Sequence, residues 1–120
     1  MRITLCGSTR FEPLFHDWSA KLALAGHTVY SLSMFGREAS DIGKIGKPVI
    51  SEHDKATLDL VHLDKILNSD AVLVINEGGY IGFSTAREIL WARIQRKAIF
   101  WQEPKYSGEK NATELLEPVQ

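Results

Sequence analysis

Three segments of this sequence gather residue types that can do chemistry. The richest is Asn76 to Glu88, reading NEGGYIGFSTARE. Gly78, Gly79 and Gly82 precede Ser84 and Thr85, and free N–H groups at a helix start can hold an anion such as a phosphate. Thr85 and Glu88 also have the spacing of a capping box, in which each side chain satisfies the other's backbone N–H. Glu88 is therefore either a cap or a catalytic carboxylate on this pattern. The glycines fit neither a P-loop nor a dinucleotide fingerprint, since no Gly-Lys-Ser/Thr occurs.

The second segment is Gly7-Ser8-Thr9-Arg10 with Phe11 behind it. Gly7 lets backbone approach a ligand, two hydroxyls can donate, and Arg10 adds a charged donor. The same residues can simply end a strand. The third holds Asp54, Asp59, His62 and Asp64 along one stretch. Asp59 and His62 are three apart and share a helix face. Ordinary solvated positions are the alternative, and His53 or Asp54 can cap that helix. His-Glu-x-x-His is absent, so no metal site is expected there. Tyr80 can stack on a ring or cover its loop, while Trp91 reads as packing.

The elements that must position these residues follow from apolar periodicity. Residues 2–6 and 28–32 read as strands flanking a helix over 12–25, with Leu14, Trp18, Leu22 and Ala25 inward and Phe15 beside them. Pro13 suits the first turn and Gly26 the exit. Residues 33–50, with Gly36, Gly43, Gly46 and Pro48, read as a long and mobile loop with one helical turn. A helix over 53–68 turns Ala56, Leu60, Leu63 and Leu67 inward. The run AVLVI at 71–75 suits a strand buried on both faces. A helix over 84–96 carries Ala86, Ile89, Leu90 and Ile94 inward, and 98–101 is the fourth strand. Residues 105–120 form a peripheral tail, with a short helix over 109–117. The expected architecture is one α/β domain over 1–120. It is a three-layer, open parallel sheet of four or five strands, flavodoxin- or Rossmann-like. Ligands in such sheets bind beyond the carboxyl ends of the strands, which picks out Gly7 to Phe11, the loop from Ser33 to Pro48, and Asn76 to Glu88.

Composition narrows the partners. The net charge is −1 and the isoelectric point about 6.4, so neither a nucleic-acid polymer nor an acidic membrane is expected. Cys6 is the single cysteine, which excludes an intrachain disulfide and a multi-cysteine zinc site, and it reads as core. No apolar stretch is long enough for a membrane span and no signal-peptide core follows Met1, so a cytoplasmic location is expected. No cofactor fingerprint is found and none is expected.

With these motifs in hand, the chain resembles the nucleoside 2-deoxyribosyltransferase superfamily, which includes N-ribosyl hydrolases of nucleoside monophosphates. It is most similar to small uncharacterised bacterial and phage members. The likeness rests on ITLCGSTRF and VINEGGYIGFSTAREI and runs to the end of the fourth strand. It implies that Gly7, Ser8 and Thr9 lie under the sugar or its phosphate, that Arg10 and Ser84 partner the phosphate, and that Glu88 is the nucleophile. Tyr80, following Gly79, or Phe11 would pack on the base. Two positions depart from the family: His62 stands where an aspartate orients or protonates the leaving base, and Gly82 replaces a second aspartate. The proton then falls to His62, Asp59 or Asp64. The implied function is cleavage or transfer at the N-glycosidic bond of a nucleoside or nucleoside 5′-monophosphate. The resemblance also implies a homo-oligomer whose neighbouring subunits complete the site. Two alternatives are a non-catalytic nucleotide-binding or sensing protein, and an interaction subunit presenting Trp18, Trp91 and Trp101.

Overall fold

The computed structural model describes residues 1–35 and 50–118. The expected long loop falls largely on 36–49, outside the described residues. Five strands form one parallel sheet in the order β2-β1-β3-β4-β5: β1 Arg2–Gly7, β2 Thr28–Tyr30, β3 Ala71–Ile75, β4 Ala98–Trp101 and β5 Lys110–Asn111. This is the flavodoxin-like order, with a topological switch point between β1 and β3.

Strand periodicity builds the three layers. Ile3, Leu5, Ala71, Leu73 and Ile75 face one side, where α1 (Glu12–Leu24) packs through Phe15, Trp18 and Leu22. Ala112 and Leu115, from a 3-10 turn after β5, are buried in the same cluster. Cys6, Val72 and Val74 face the other side, against Ile66 of α2 (Glu52–Leu67) and Ile89 and Ala92 of α3 (Phe83–Ile94). Trp91 Nε1 donates to the Leu63 carbonyl at 3.0 Å and joins the two helices. Among the described residues, no helix is long and apolar enough to cross a membrane.

The helices exist where expected, and α1 buries Trp18 and Leu22 as its stripe predicts, whereas α2 and α3 are rotated from the stripes read in the sequence. In α1, Phe15 is fully buried while Leu14 is half-buried and Ala25 exposed. The inward residues of α2 are His62 and Ile66, whereas Ala56 and Leu67 are exposed and Leu60 is 70% exposed. In α3, Thr85, Glu88, Ile89 and Ala92 turn inward, and Ala86, Leu90 and Ile94 face out. Polar side chains took the inner positions because the upper ends of both helices line a cleft. Ser51, not His53 or Asp54, caps α2 by accepting from the Asp54 N–H. Trp18 and Trp101 are each 7% exposed and pack in the core, so a partner surface built on them is ruled out.

Candidate functional site

Parallel pairing aligns Cys6 with Val74 and Gly7 with Ile75 at the carboxyl ends of β1 and β3. Two adjoining cavities, of about 260 and 320 Å³, open there and share Thr9, Leu32, Lys55, Asp59 and Glu88. The first continues past Met34 and Leu58 to His62 and Lys65. The second is walled by Gly7 to Arg10 and by Tyr80, Ser84 and Thr85.

The loop after β1 is shaped by Ser8, whose Oγ accepts from the Arg10 N–H at 3.2 Å and starts a 3-10 turn. Gly7 is needed at the strand exit, because a Cβ there would sit 2.8 Å from the Ile75 carbonyl oxygen. The second loop turns through Gly78 and Gly79, with φ of +65° and +80°. It is tethered across the sheet. Asn76 Nδ2 donates to the Glu103 carbonyl and its Oδ1 accepts from the Glu103 N–H, while Gly78 N–H donates to the Glu103 carboxylate at 2.6 Å. Gln102 adds bonds to Asn76 and Glu77.

These tethers present Tyr80 to the first loop. The Arg10 guanidinium lies 3.8 Å from the Tyr80 ring centroid and donates to its hydroxyl at 3.0 Å. One ring face is thus covered by a cation. Phe11 meets Tyr80 edge-on at 6.0 Å and packs against the core. Neither Phe11 nor Gly79 lines the cavities, whereas Gly7, Ser8, Thr9, Arg10, Tyr80 and Ser84 do.

Glu88 occupies the junction of the two cavities. Gly82 begins α3 without any side-chain cap, so the capping box between Thr85 and Glu88 is not formed. Glu88 is 8% exposed, and its Oε2 has no hydrogen-bond partner among the described residues. Burial, and then the Asp59 carboxylate, push its carboxyl up to about 8, against the Cys6 thiol, Arg87 and Lys55. Burial and the Lys65 ammonium lower the His62 imidazole to about 4. At neutral pH both groups are uncharged, so the 3.9 Å between His62 Nε2 and Glu88 Oε2 is a contact of neutral groups. Asp59 is more open and lies 3.9 Å from Arg87 Nη2.

Two site residues escape sequence reading. Cys6, which reads as core in the sequence, is fully buried but sits 3.8 Å from His62 Nε2. Its Sγ, His62 nitrogen and a Glu88 oxygen all lie within 4.8 Å of one another, a donor set able to hold a metal ion. The only available signal was strand parity, which puts Cys6 on the α2/α3 side. Lys55 lines both cavities and lies one turn before Asp59, a helical spacing that could have revealed it.

No family model matches the chain, and no curated protein sequence does. Solved structures do. One is a 2-deoxyribosyltransferase from the psychrotolerant bacterium Bacillus psychrosaccharolyticus, with 19% identity and a TM-score of 0.59 over 88% of this chain and 76% of that one. Another is a CMP N-glycosidase from Clostridium botulinum, with 21% identity and a TM-score of 0.53 over 84% of this chain and 70% of that one. At these identities, what the chain shares with them is the fold.

Proposed function

We propose that this chain cleaves or transfers at the N-glycosidic bond of a nucleoside or nucleoside 5′-monophosphate, with Glu88 as nucleophile. The observation that carries the reading is a buried carboxyl group at the junction of two cavities, beside a second carboxylate, at the switch point of the sheet. The two structures described above bear names of proteins acting on such bonds, a 2-deoxyribosyltransferase and a CMP N-glycosidase.

Burial and the Asp59 carboxylate beside it disfavour a charge on Glu88, so Glu88 holds a proton at neutral pH. The reactive arrangement places that proton on Asp59 and the charge on Glu88. A Glu88 oxygen then bonds to C1′ as the C1′–N bond breaks. The bonding pair leaves with the base, which takes the Asp59 proton. Water, or a second base in a transfer, next attacks C1′ of the glycosyl ester and yields its proton to Asp59, and Glu88 departs as carboxylate. His62 is neutral at that pH and directs rather than supplies the proton. Gly7, Ser8, Thr9, Arg10 and Ser84 hold the sugar and phosphate, Lys55 adds a cation, and Tyr80, set by Gly79 and buttressed by Phe11, packs on the base. Copies of the chain associate as a homo-oligomer, a reading supported by exposed Leu60, Leu90 and Ile94 on the outer sides of α2 and α3.

The test is incubation with a panel of nucleosides and 5′-monophosphates, with and without an acceptor base, followed by chromatography for free or transferred base. Glu88→Gln should abolish the reaction. Undiminished cleavage by that variant overturns the mechanism. A second reading, a nucleotide sensor without turnover, is favoured by the uncharged state of Glu88 in the free cleft. It predicts tight nucleotide binding with no base released.

A further inference from the structure

The glycosidic reading leaves one neighbour of Glu88 without a role. Cys6 comes from β1, His62 from α2 and Glu88 from α3, and nothing in the chain's local sequence unites them. We propose that these three side chains form a site for zinc or a similar borderline-soft divalent cation, and that filling it switches the glycosidic reaction off. The second half rests on the function proposed above, and the first does not.

The geometry is near what a tetrahedral ion needs. Sγ of Cys6 lies 3.8 Å from His62 Nε2, and Nε2 lies 3.9 Å from Glu88 Oε2. Tetrahedral zinc with ordinary Zn–S, Zn–N and Zn–O bonds sets such ligand atoms about 3.4–3.6 Å apart. Rotamer adjustments of a few tenths of an ångström close those two edges, and the Cys6–Glu88 edge, within 4.8 Å, closes with a shift of at most about 1 Å. All three side chains are already withdrawn from water: Cys6 is 0%, His62 4% and Glu88 8% exposed. Glu88 Oε2 faces His62 Nε2, yet among the described residues it has no hydrogen-bond partner. A buried acceptor left unmatched is costly, and a cation would match it.

Donor chemistry selects the ion. One sulfur, one imidazole nitrogen and one carboxylate oxygen suit zinc or cobalt(II), whereas magnesium and calcium call for oxygen throughout. Thiolate and carboxylate together balance a divalent charge, so the filled site is neutral in a place where net charge is penalised. Ligation deprotonates the Cys6 thiol, and that proton passes to the buffer. Glu88 and His62 both line the first cavity, which gives the ion and a fourth ligand such as water a way in. A Glu88 carboxylate bonded to the ion gives its electron density to the metal and is held in place there, so it is a far poorer nucleophile toward C1′, hence the inhibition.

The test uses the full chain stripped with a chelator and titrated with Co²⁺, then with Zn²⁺ in competition. The wild type should take up one equivalent and show thiolate-to-cobalt charge transfer in the near ultraviolet. Cys6→Ser should lose that band and bind about 100-fold more weakly, while circular dichroism confirms its fold. Glu88→Gln, checked the same way, should keep the band and weaken binding. No band in the wild type, or one that survives Cys6→Ser, overturns the site. Base release is then measured in chelator and with equimolar Zn²⁺. More than about tenfold loss, reversed by chelator, supports inhibition, and unchanged release with the metal bound overturns it. Absence of release even in chelator counts against the glycosidic reading, while the cobalt spectrum still decides the site.

Discussion

Replacing Glu88 by Gln should stabilise the protein in a way that depends on pH. The carboxyl ordinarily titrates near 4.5 and is pushed up to about 8 in the folded chain. A raised carboxyl means the fold holds a proton that the unfolded chain releases. The destabilisation is therefore absent below pH 4.5, grows as pH rises, and is complete above about 8. The gap between the two values sets a ceiling of about 4–5 kcal/mol, and relaxation around the charge brings the expected effect to roughly half of that. Gln has the shape of the protonated acid and never charges. Thermal melts of both proteins from pH 5 to 9 should thus coincide at the acid end. They should separate by about 10 °C in favour of Gln at pH 9. His62, lowered to about 4, costs stability as pH falls from 6.5 toward 4, but it does so in both proteins and cancels in the difference. A Tm difference that stays constant across this range, or a less stable Gln variant at pH 9, would refute the assignment of Glu88 as an acid held neutral by burial.

Other consequences are as direct. If the proton held by Glu88 is the one relayed to the leaving base, kcat/KM for base release falls about tenfold per unit above pH 8, and a profile that rises through 8 removes that proton from the mechanism. Gly7→Ala drives a Cβ to 2.8 Å from the Ile75 carbonyl oxygen and should cost about 2 kcal/mol or more, visible as a lower urea midpoint. An unchanged midpoint would mean that the strand ends give way freely. Tyr80→Phe keeps the ring that Arg10 covers, while Tyr80→Ala removes it. Nucleotide Kd by calorimetry should rise about tenfold for Ala and much less for Phe, and equal affinities would take Tyr80 out of the base site.

The sheet was legible because strands buried on both faces announce themselves as apolar runs, and AVLVI at 71–75 is the plainest case. Helix positions along the chain were legible too, from Pro13 and Gly26 around α1. Helix rotation was not. Apolar periodicity assumes that the inner face is apolar, and this fails where a helix lines a cleft. Asp59 and His62 in α2, and Thr85 and Glu88 in α3, occupy inner positions, so Leu60, Leu67, Leu90 and Ile94 read as core yet lie outside it. The pairing of Asp59 with His62 on one face was readable from spacing alone, and both line the same cavity. The approach of Cys6 to that pair was not, since it depends on how two helices settle on one strand. The same holds for Arg10 and Tyr80, which are 70 residues apart in the chain.

The grip of Asn76 on Glu103 carries a warning for anyone trimming this protein. A chain cut after Trp101 keeps the four longer strands and every side chain assigned to bond breaking. It discards both residues that moor the glycine loop, Gln102 and Glu103. Tyr80 would then swing on an unanchored hairpin of glycines. Loss of turnover in such a shortened chain would look like the signature of a catalytic tail, when the deleted stretch had served as a mooring post and, through Ala112 and Leu115, as part of the core.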